Sequence, residues 1–212
     1  GHCLVCATSS SHVRFKPIED GIDVVIQATI KYEGGDADTA SGIVVAASEE
    51  NYKKLAYTVR VNGAGAVSPG TCSRLFNRVA STQQRMDQHY DSALQLTRWF
   101  KGQKFTSKIL CPFLSGSLDY DRFQKYFGKG NGLFTVAFNE NISAKKMDKF
   151  LDRLLLFRIG ESWGGHVSLA LPAHPSRTLS ALPAGQMVRF STGLENAKDL
   201  LADLEQAAPV LY

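Results

Sequence analysis

Three short apolar segments before residue 48 limit most strongly how this chain can fold. They are Cys3–Ala7, Val24–Thr29 and Gly42–Ala47, and the third contains the β-branched run from Ile43 to Val45. β-Branched side chains favour extended backbone, so each segment is predicted to be a strand, and the first to be buried. Three strands do not make a sheet with two covered faces. The segments therefore predict part of a larger α/β sheet.

A helical pattern begins at Glu49, is broken between Gly63 and Gly70, and resumes as a long helical region that ends near Phe100. Apolar residues recur there every four positions, which places them on one face of a helix. A methionine and aromatic stripe at this spacing is typical of a core, so no ligand role is assigned to it. The stripe comprises Met86, Tyr90 and Leu94, and Leu75 and Val79 show the same spacing upstream.

Beyond Gly102, strand-like and helix-like segments alternate, which is typical of a compact α/β layer. Ser143 is predicted to cap a helix, because its hydroxyl can accept a hydrogen bond from a free N–H group. We place a boundary at the end of the long helical region, giving units 1–102 and 103–212. The predicted elements are strands Lys108–Leu114, Leu133–Phe138, Leu155–Ile159 and Val188–Ser191, helices Tyr120–Phe127 and Ser143–Leu154, and a last helix with Ala197, Leu200, Leu201, Leu204 and Ala208 on its packing face.

Charge and cysteine content argue against several classes of function. The 24 basic and 20 acidic residues leave a net charge of +4, which is weak for a nucleic-acid-binding protein without a basic stripe. No apolar run approaches the length of a membrane span. Cys3 and Cys6 form a C-x-x-C pair, but no second pair completes a zinc site. We expect four reduced thiols, no metal and a cytoplasmic location.

Lys31 is the first candidate site residue, in the stretch Gly21–Asp38 with sequence GIDVVIQATIKYEGGDAD. It follows an apolar strand, and ligands of α/β proteins collect at the carboxyl ends of strands. A solvated surface lysine is the alternative, and it is the commoner role for this residue type.

The same stretch resembles the cofactor-lysine segment of the Cys/Met-metabolism enzymes that use pyridoxal phosphate (PLP), among them cystathionine β-lyase. The shared features are Asp23, the pair Gln27-Ala28, Lys31 followed by Tyr32, and a short loop from Gly35 to Asp38. The similarity continues to the C-terminal helix. It implies PLP fold type I, with 1–102 as part of the large cofactor-binding domain, including its long helix, and 103–212 as the small C-terminal α/β domain.

The resemblance also implies roles for single residues. Lys31 would form the Schiff base with pyridoxal 5'-phosphate and move protons at the substrate α-carbon, which requires an amine that is uncharged part of the time. Cys6, Thr29 and Tyr32 are the further candidates for cofactor binding, although Thr29 lies one residue before the position of the family threonine and faces the opposite way if the strand continues. Two positions depart from the family pattern: Cys6 replaces the aspartate that pairs with the pyridine nitrogen, and Ile30 replaces a threonine that contacts the phosphate.

Two further candidates lie in the second unit. Arg189 in the strand GQMVRFS matches the family arginine that binds the substrate carboxylate, for which a guanidinium has the right bidentate geometry. Ser162 and Trp163 precede Gly164-Gly165, and the family has a similar loop at its substrate pocket. Here a purely structural glycine corner is an equal alternative.

The resemblance covers only the C-terminal half of the family's sequence. The absent half carries the phosphate-binding turn and most strands of the sheet, so this chain is expected to expose apolar strand surface. We predict a partner chain that supplies the missing half, in a hetero-oligomer. The implied function is one subunit of a carbon–sulfur lyase that acts on a sulfur-containing amino acid. A non-catalytic companion subunit of an active enzyme is the alternative, and Cys6 and Ile30 favour it.

Overall fold

The structure is a computed structural model, and it describes residues 3–36, 38–63, 65, 67–176, 178 and 181–212. In the first half, short strands come before three longer helices. The elements are β1 (Leu4–Cys6), α1 (Ser11–Arg14), β2 (Val24–Ala28), β3 (Gly42–Ala46), α2 (Glu49–Val61), α3 (Pro69–Val79) and α4 (Thr82–Lys101).

The three strands form one small sheet in the order β1-β2-β3. β1 and β2 are parallel, with Cys6 opposite Ile26, and β3 runs antiparallel to β2. The prediction that the first strand is buried is wrong. Cys3 and Cys6 are both exposed, because β1 is an edge strand of this sheet. Apolar side chains of all three strands are exposed, namely Leu4, Ile26, Ile43, Val44 and Val45.

The long helical region is two helices rather than one. α3 begins at the cap Ser68, whose hydroxyl accepts a hydrogen bond from the backbone of Thr71, and it buries no residue. Leu75 and Val79 were predicted to lie on a core stripe. In the structure Leu75 is only half-buried and Val79 is exposed. The predicted break before α3 is confirmed, although Ala64 and Ala66 within it lie outside the described residues.

α4 carries the stripe that was predicted to be core. Met86 is fully buried, and Tyr90 and Leu94 pack against the buried cluster. Apolar burial at this spacing stabilises the helix far more than its intrinsic propensity does. The stripe therefore anchors α4, and Arg85, next to Met86 near the start of the helix, reaches the turn that carries Lys31.

The second half builds a larger sheet in the order β4-β5-β8-β7-β6. β5 pairs antiparallel with β4 and β8, and β8 with β7, while β6 and β7 are parallel. The elements are β4 (Thr106–Leu110), α5 (Tyr120–Phe127), β5 (Leu133–Phe138), α6 (Ala144–Asp152), β6 (Arg158–Ile159), β7 (Leu169–Pro172), β8 (Met187–Ser191), α7 (Ala197–Ala207) and a 3₁₀ turn at Ala208–Leu211.

Most predicted elements of this half are present, with three corrections. The predicted strand Lys108–Leu114 ends at Leu110 as β4, because Pro112 has no N–H for a ladder. Only Arg158–Ile159 of the predicted strand Leu155–Ile159 pairs, since Asp203 accepts the backbone N–H groups of residues 155 to 157. β7 was not predicted from the sequence.

The core lies between this sheet and the helices α4, α6 and α7. Phe100 at the end of α4 is fully buried, with its ring centroid 5.1 Å from that of Phe190 on β8. The predicted packing face of the last helix is buried, with Leu201 half-buried at its border. Ser143 accepts a hydrogen bond from the backbone of Lys146, as predicted. This rigid layer holds β8, and with it Arg189, in a fixed place.

None of the helices in the described part of the chain is both long and apolar enough to cross a membrane.

Candidate functional site

Lys31 lies in a tight turn, three residues after the end of β2. Gly34 donates its backbone N–H to the carbonyl of Thr29 at 2.7 Å, and Gly35 donates to the carbonyl of Lys31 at 2.8 Å. Gly35 has a φ of +76°, which only glycine adopts readily. A Cβ on Gly34 would lie 2.1 Å from the hydroxyl of Thr39. The two glycines thus allow the chain to reverse immediately after Lys31.

The Lys31 amine points toward the loop of residues 160–167 rather than into bulk solvent. Its Nζ donates to Ser162 Oγ at 2.8 Å and lies 4.2 Å from the centroid of the Trp163 ring. Burial lowers the pKa of Lys31, and the charge of Arg189 lowers it further. Both causes disfavour the ammonium form, so a larger share of this amine is neutral than in an ordinary lysine.

The loop approaches the Lys31 turn closely because it contains glycine. Gly164 has a φ of +77°, and a Cβ there would lie 2.9 Å from the backbone nitrogen of Tyr32. The sequence left open whether this loop is a structural corner or part of a site. In the structure it is a glycine corner, and it also places Ser162 and Trp163 against Lys31.

Arg189 lies on β8, beside the same loop. Its Nη2 donates to the carbonyl oxygen of Glu161 at 2.6 Å and to that of Ser162 at 3.4 Å. The guanidinium carbon lies 5.8 Å from the centroid of the Trp163 ring. Lys31 and Arg189 therefore share one indole ring, and two cations converge on this part of the surface. A carboxylate or phosphate is the kind of ligand that such a pair attracts.

Tyr32 faces the opposite direction and is fully buried. Its hydroxyl accepts a hydrogen bond from the backbone N–H of Gly132 at 3.3 Å, and its ring meets the edge of His89 at a centroid distance of 5.4 Å. Burial raises the pKa of the Tyr32 phenol well above its ordinary value and lowers the pKa of His89 to about 4. The two side chains anchor the turn from inside.

In the described part of the chain, Cys6 and Thr29 make no hydrogen bond, ion pair or ring contact with the side chains of Lys31, Ser162, Trp163 or Arg189. The exposed Cys6 thiol lies 3.2 Å from Thr8 Oγ1, and that hydrogen bond lowers the pKa of the thiol. Thr29 is fully buried, and its hydroxyl lies 2.5 Å from Ser41 Oγ. β1 and β2 are parallel, so their C-terminal ends lie at the same edge of the sheet. Cys6 at the end of β1 is therefore at the same edge as the Lys31 turn that follows β2.

A buried polar cluster behind the turn was not predicted from the sequence. The Glu33 carboxylate is 2% exposed, and it accepts hydrogen bonds from Ser11 Oγ and Gln27 Nε2. His12 Nδ1 lies 3.3 Å from the same carboxylate oxygen. Arg85 on α4 donates to the backbone carbonyls of Tyr32 and Glu33. The signal that could have identified this cluster is Glu33, a charged residue directly before the two glycines of the turn.

Comparisons with known proteins agree on one family. The family described as "Cys/Met metabolism PLP-dependent enzyme" matches residues 2–208. A putative cystathionine beta-lyase of Rhizobium johnstonii is 32% identical over 205 residues, which covers 94% of this chain and 51% of that protein. The cystathionine beta-lyase MetC of Escherichia coli is 29% identical and is covered to 52%. An L-alanine/L-glutamate racemase of Wolbachia pipientis is also 29% identical.

Solved structures give the same result for the fold. The crystal structure of metB from Corynebacterium glutamicum superimposes with a TM-score of 0.87 at 27% identity, and the match covers all of this chain and 55% of that one. A cystathionine gamma synthase of Xanthomonas oryzae superimposes with a TM-score of 0.88 at 24% identity. The chain spans about half the length of the relatives that it matches.

Proposed function

The chain belongs to the Cys/Met metabolism PLP-dependent enzyme family, and from this premise we propose that it supplies the lysine and substrate-side residues of a carbon–sulfur lyase. The substrate would be a sulfur-containing amino acid, and the reaction an α,β-elimination that releases a thiol. The observation that carries this proposal is the convergence of Lys31, Ser162 and Arg189 around the ring of Trp163.

The fold is the mixed α/β fold of PLP fold type I enzymes, as predicted, for about half of their length. The division into units 1–102 and 103–212 is part of our proposal. It is supported by the two sheets, since β1 to β3 precede the boundary and β4 to β8 follow it.

Pyridoxal 5'-phosphate is the cofactor of the family, and the side chains present here fit it. Lys31 offers an amine with a lowered pKa, and Ser162 offers a hydroxyl beside it. The indole N–H of Trp163 is buried and has no hydrogen-bond partner in the described structure, so it could donate to a bound ligand. When bound, this cofactor withdraws electrons from the α-carbon of an amino acid.

Lys31 would bind the cofactor covalently through its amine and then transfer a proton at the substrate α-carbon. Both tasks need a neutral amine near the working pH, and the burial of Lys31 favours that form. Ser162, which accepts a hydrogen bond from Nζ, would keep the amine directed toward the reacting atoms.

Arg189 would bind the substrate carboxylate and so orient the α-carbon toward the cofactor. Its guanidinium already donates to the loop carbonyls of Glu161 and Ser162. The carboxylate clamp and the Ser162–Trp163 loop are therefore coupled.

The three candidate cofactor-binding residues other than Lys31, namely Tyr32, Thr29 and Cys6, would have different roles. Tyr32, which is fully buried, would anchor the turn behind Lys31. Thr29 would brace the same turn through Ser41. Cys6, at the sheet edge, would face the pyridine nitrogen with a thiol, which stabilises a protonated ring far less well than a carboxylate does.

A polypeptide equivalent to the N-terminal half of the relatives would complete the sheet. The exposed side chains of Leu4, Ile43 and Val45 support this, because strand surface of this kind is normally covered. We propose a second chain in a cytoplasmic hetero-oligomer as its source. Purification of the 212-residue chain as a stable, dispersed monomer would contradict this part of the proposal.

A companion subunit without catalytic activity is the second candidate function. Cys6 is the observation that favours it, since the position at the end of β1 holds a thiol rather than a carboxylate, and Ile30 before Lys31 carries no hydroxyl. Such a subunit would keep the fold and stabilise or regulate an active relative.

One experiment separates the two candidates. The chain is co-expressed with the N-terminal half of the Rhizobium relative, incubated with pyridoxal 5'-phosphate, reduced with borohydride and analysed by peptide mass spectrometry. A lyase subunit predicts cofactor label on Lys31, loss of the visible absorption band in Lys31→Ala, and thiol release from a sulfur amino acid. Lys53→Ala, which changes an exposed helix lysine, is the matched control. Label without thiol release would favour the companion role, and absence of label on Lys31 would refute the lyase proposal.

A further inference from the structure

Arg85 lies directly beneath the turn that carries Lys31. It projects from the first turns of α4, and its guanidinium is half-buried. Nη1 donates to the carbonyl of Tyr32, and Nη2 donates to the carbonyl of Glu33 at 3.1 Å. These are the two residues that follow Lys31 in the chain, so Arg85 holds the backbone at the point where it reverses.

The guanidinium of Arg85 is itself held by the end of α3 and the start of α4. Nη2 also donates to the carbonyl of Arg78 at 3.2 Å and to Thr82 Oγ1 at 3.3 Å, and Nε donates to Ser81 Oγ at 3.2 Å. A planar fork can satisfy acceptors in two directions at once, which a lysine ammonium does less well. Burial lowers the pKa of Arg85, while the charges of Asp36 and Glu33 act in the opposite direction.

Gly35 leaves the space that Arg85 occupies. A Cβ at this position would lie 2.6 Å from Arg85 Nη1. On the other side of the turn, Gly164 allows the loop of Ser162 and Trp163 to approach the backbone nitrogen of Tyr32. The turn is therefore held between a guanidinium and a glycine corner, with the Lys31 side chain directed toward Ser162.

We propose that Arg85 is a positioning residue for Lys31. By holding the carbonyls of Tyr32 and Glu33, it fixes the turn so that the Lys31 amine reaches Ser162 and the Trp163 ring. This inference rests on the proposed function of Lys31 and adds a residue that does not touch the reacting atoms. It gives α4 a second task besides its contribution to the core.

Loss of Arg85 would release the turn and let the amine move toward water. The groups that face the amine are Ser162, Trp163 and the charge of Arg189. Moving away from them removes both causes that lower its pKa, so the pKa of Lys31 rises toward the ordinary value for lysine. Each unit of this rise makes the neutral amine about tenfold scarcer at a pH below the pKa.

The test measures the reactivity of each lysine without any cofactor. The complex described above is treated with formaldehyde and cyanoborohydride across a pH series, and the methylation rate of Lys31 is read by peptide mass spectrometry. In Arg85→Met we expect Lys31 methylation at neutral pH to fall severalfold and its pH midpoint to rise toward that of an ordinary lysine. Arg85→Lys should keep part of the wild-type Lys31 methylation, because it retains a positive charge at this position. Arg98→Met, an exposed position on the same helix, should leave the Lys31 profile unchanged.

A second variant covers the case in which Arg85→Met fails to fold. Gly35→Ala displaces the guanidinium without removing its charge, and Gly21→Ala is its control, because Gly21 also has a positive φ, +85°, but an open surrounding. The inference predicts that only Gly35→Ala shifts the Lys31 profile. A Lys31 profile that stays at the wild-type position in folded Arg85→Met or Gly35→Ala would overturn it.

Failure of this inference can be told apart from failure of the proposed function. If Lys31 of the wild-type complex shows a lowered midpoint that depends on Arg85 but takes no cofactor label, the positioning role stands and the lyase proposal falls. If Lys31 takes the label and Arg85 variants leave its profile unchanged, the lyase proposal stands and the positioning role falls.

Discussion

The amine of Lys31 lies 4.2 Å from the centroid of the Trp163 ring, and the guanidinium of Arg189 approaches the same ring at 5.8 Å. An indole face attracts a cation by about 0.5–2 kcal/mol, but the ring also removes water from the amine. Burial is the larger cause of the lowered pKa of Lys31, and the charge of Arg189 is the second. Trp163 therefore shapes the acid–base behaviour of the site as well as its form.

Replacement of Trp163 tests whether its ring lowers the pKa of Lys31. Trp163→Ala exposes the amine, so the pKa of Lys31 is expected to rise and its methylation at neutral pH to slow. Trp163→Phe keeps an aromatic face and should retain most of the lowered pKa. The measurement is the pH profile of Lys31 methylation. Equal profiles for Trp163→Ala and the wild type would show that the ring does not control the amine.

Arg189→Lys should weaken substrate binding. A lysine keeps the charge but cannot make the bidentate contact with a carboxylate. The loss of a hydrogen bond to a charged group costs about 1.5–3 kcal/mol, so we expect KM to rise about ten- to hundredfold. Steady-state kinetics of the complete complex provide the measurement. Arg158→Lys, exposed on β6, is the control, and an unchanged KM in Arg189→Lys would contradict the clamp.

The pair of His12 and Glu33 predicts a pH dependence of stability. The hydrogen bond to Glu33 raises the pKa of His12, while burial opposes it. A raised pKa in the folded state means that the contribution is fully present below the unfolded value of about 6.5 and is lost as the pH rises through the folded value. The groups facing Glu33 are Ser11, Gln27 and Arg85, and they do not titrate in this range.

Urea unfolding of the complex at about pH 6 and about pH 8 measures this contribution. Because the lowered pKa of His89 acts in the opposite sense over this range, the quantity compared is the stability of the wild type relative to His12→Asn, and this advantage should be larger at the lower pH than at the higher pH. The His12 side chain is 58% exposed, so solvent screening keeps the effect small. If His12→Asn showed the same change in stability between the two pH values as the wild type, the effect would belong to another group.

Asp203 should be a major determinant of stability. Its buried carboxylate accepts the backbone N–H groups of Leu155 and Leu156, each at 2.8 Å, and of Phe157 at 3.3 Å. Asp203→Ala leaves these donors without an acceptor, and we expect a loss of about 3 kcal/mol or more in the free energy of unfolding. Asp203→Asn should lose less. Thermal or urea unfolding checks this, with Glu205→Ala, exposed on the same helix, as the control.

Phe100→Ala should create a cavity at the centre of the core. Phe100 is fully buried among Phe134, Phe138 and Phe190, and truncation of such a residue costs about 3–5 kcal/mol. The matched control is Phe76→Ala, since Phe76 on α3 is 79% exposed. The two variants are compared by urea unfolding of the same complex. A large loss in Phe76→Ala would place that side chain in a contact with the completing half.

Prediction from the sequence was most accurate for helices and strands whose signal lies within the segment itself. α5 and β5 have the predicted bounds, and α6 starts at the predicted cap Ser143. Short strands were predicted less well, because pairing rather than propensity decides them. β7 exists as the neighbour of β8 in the sheet, and residues 155 to 157 are diverted from strand pairing by a carboxylate on α7.

The family and the candidate residues were determined by the sequence itself, because Lys31, Tyr32 and the glycines of their turn form a contiguous motif. The tertiary structure alone decided that Ser162, Trp163 and Arg189 surround that lysine, and that Arg85 holds its turn from behind. A local pattern fixes backbone shape over a few residues. The contact between Lys31 and the loop before β7 depends on how two sheets are joined through α4, and no spacing along the chain encodes that distance.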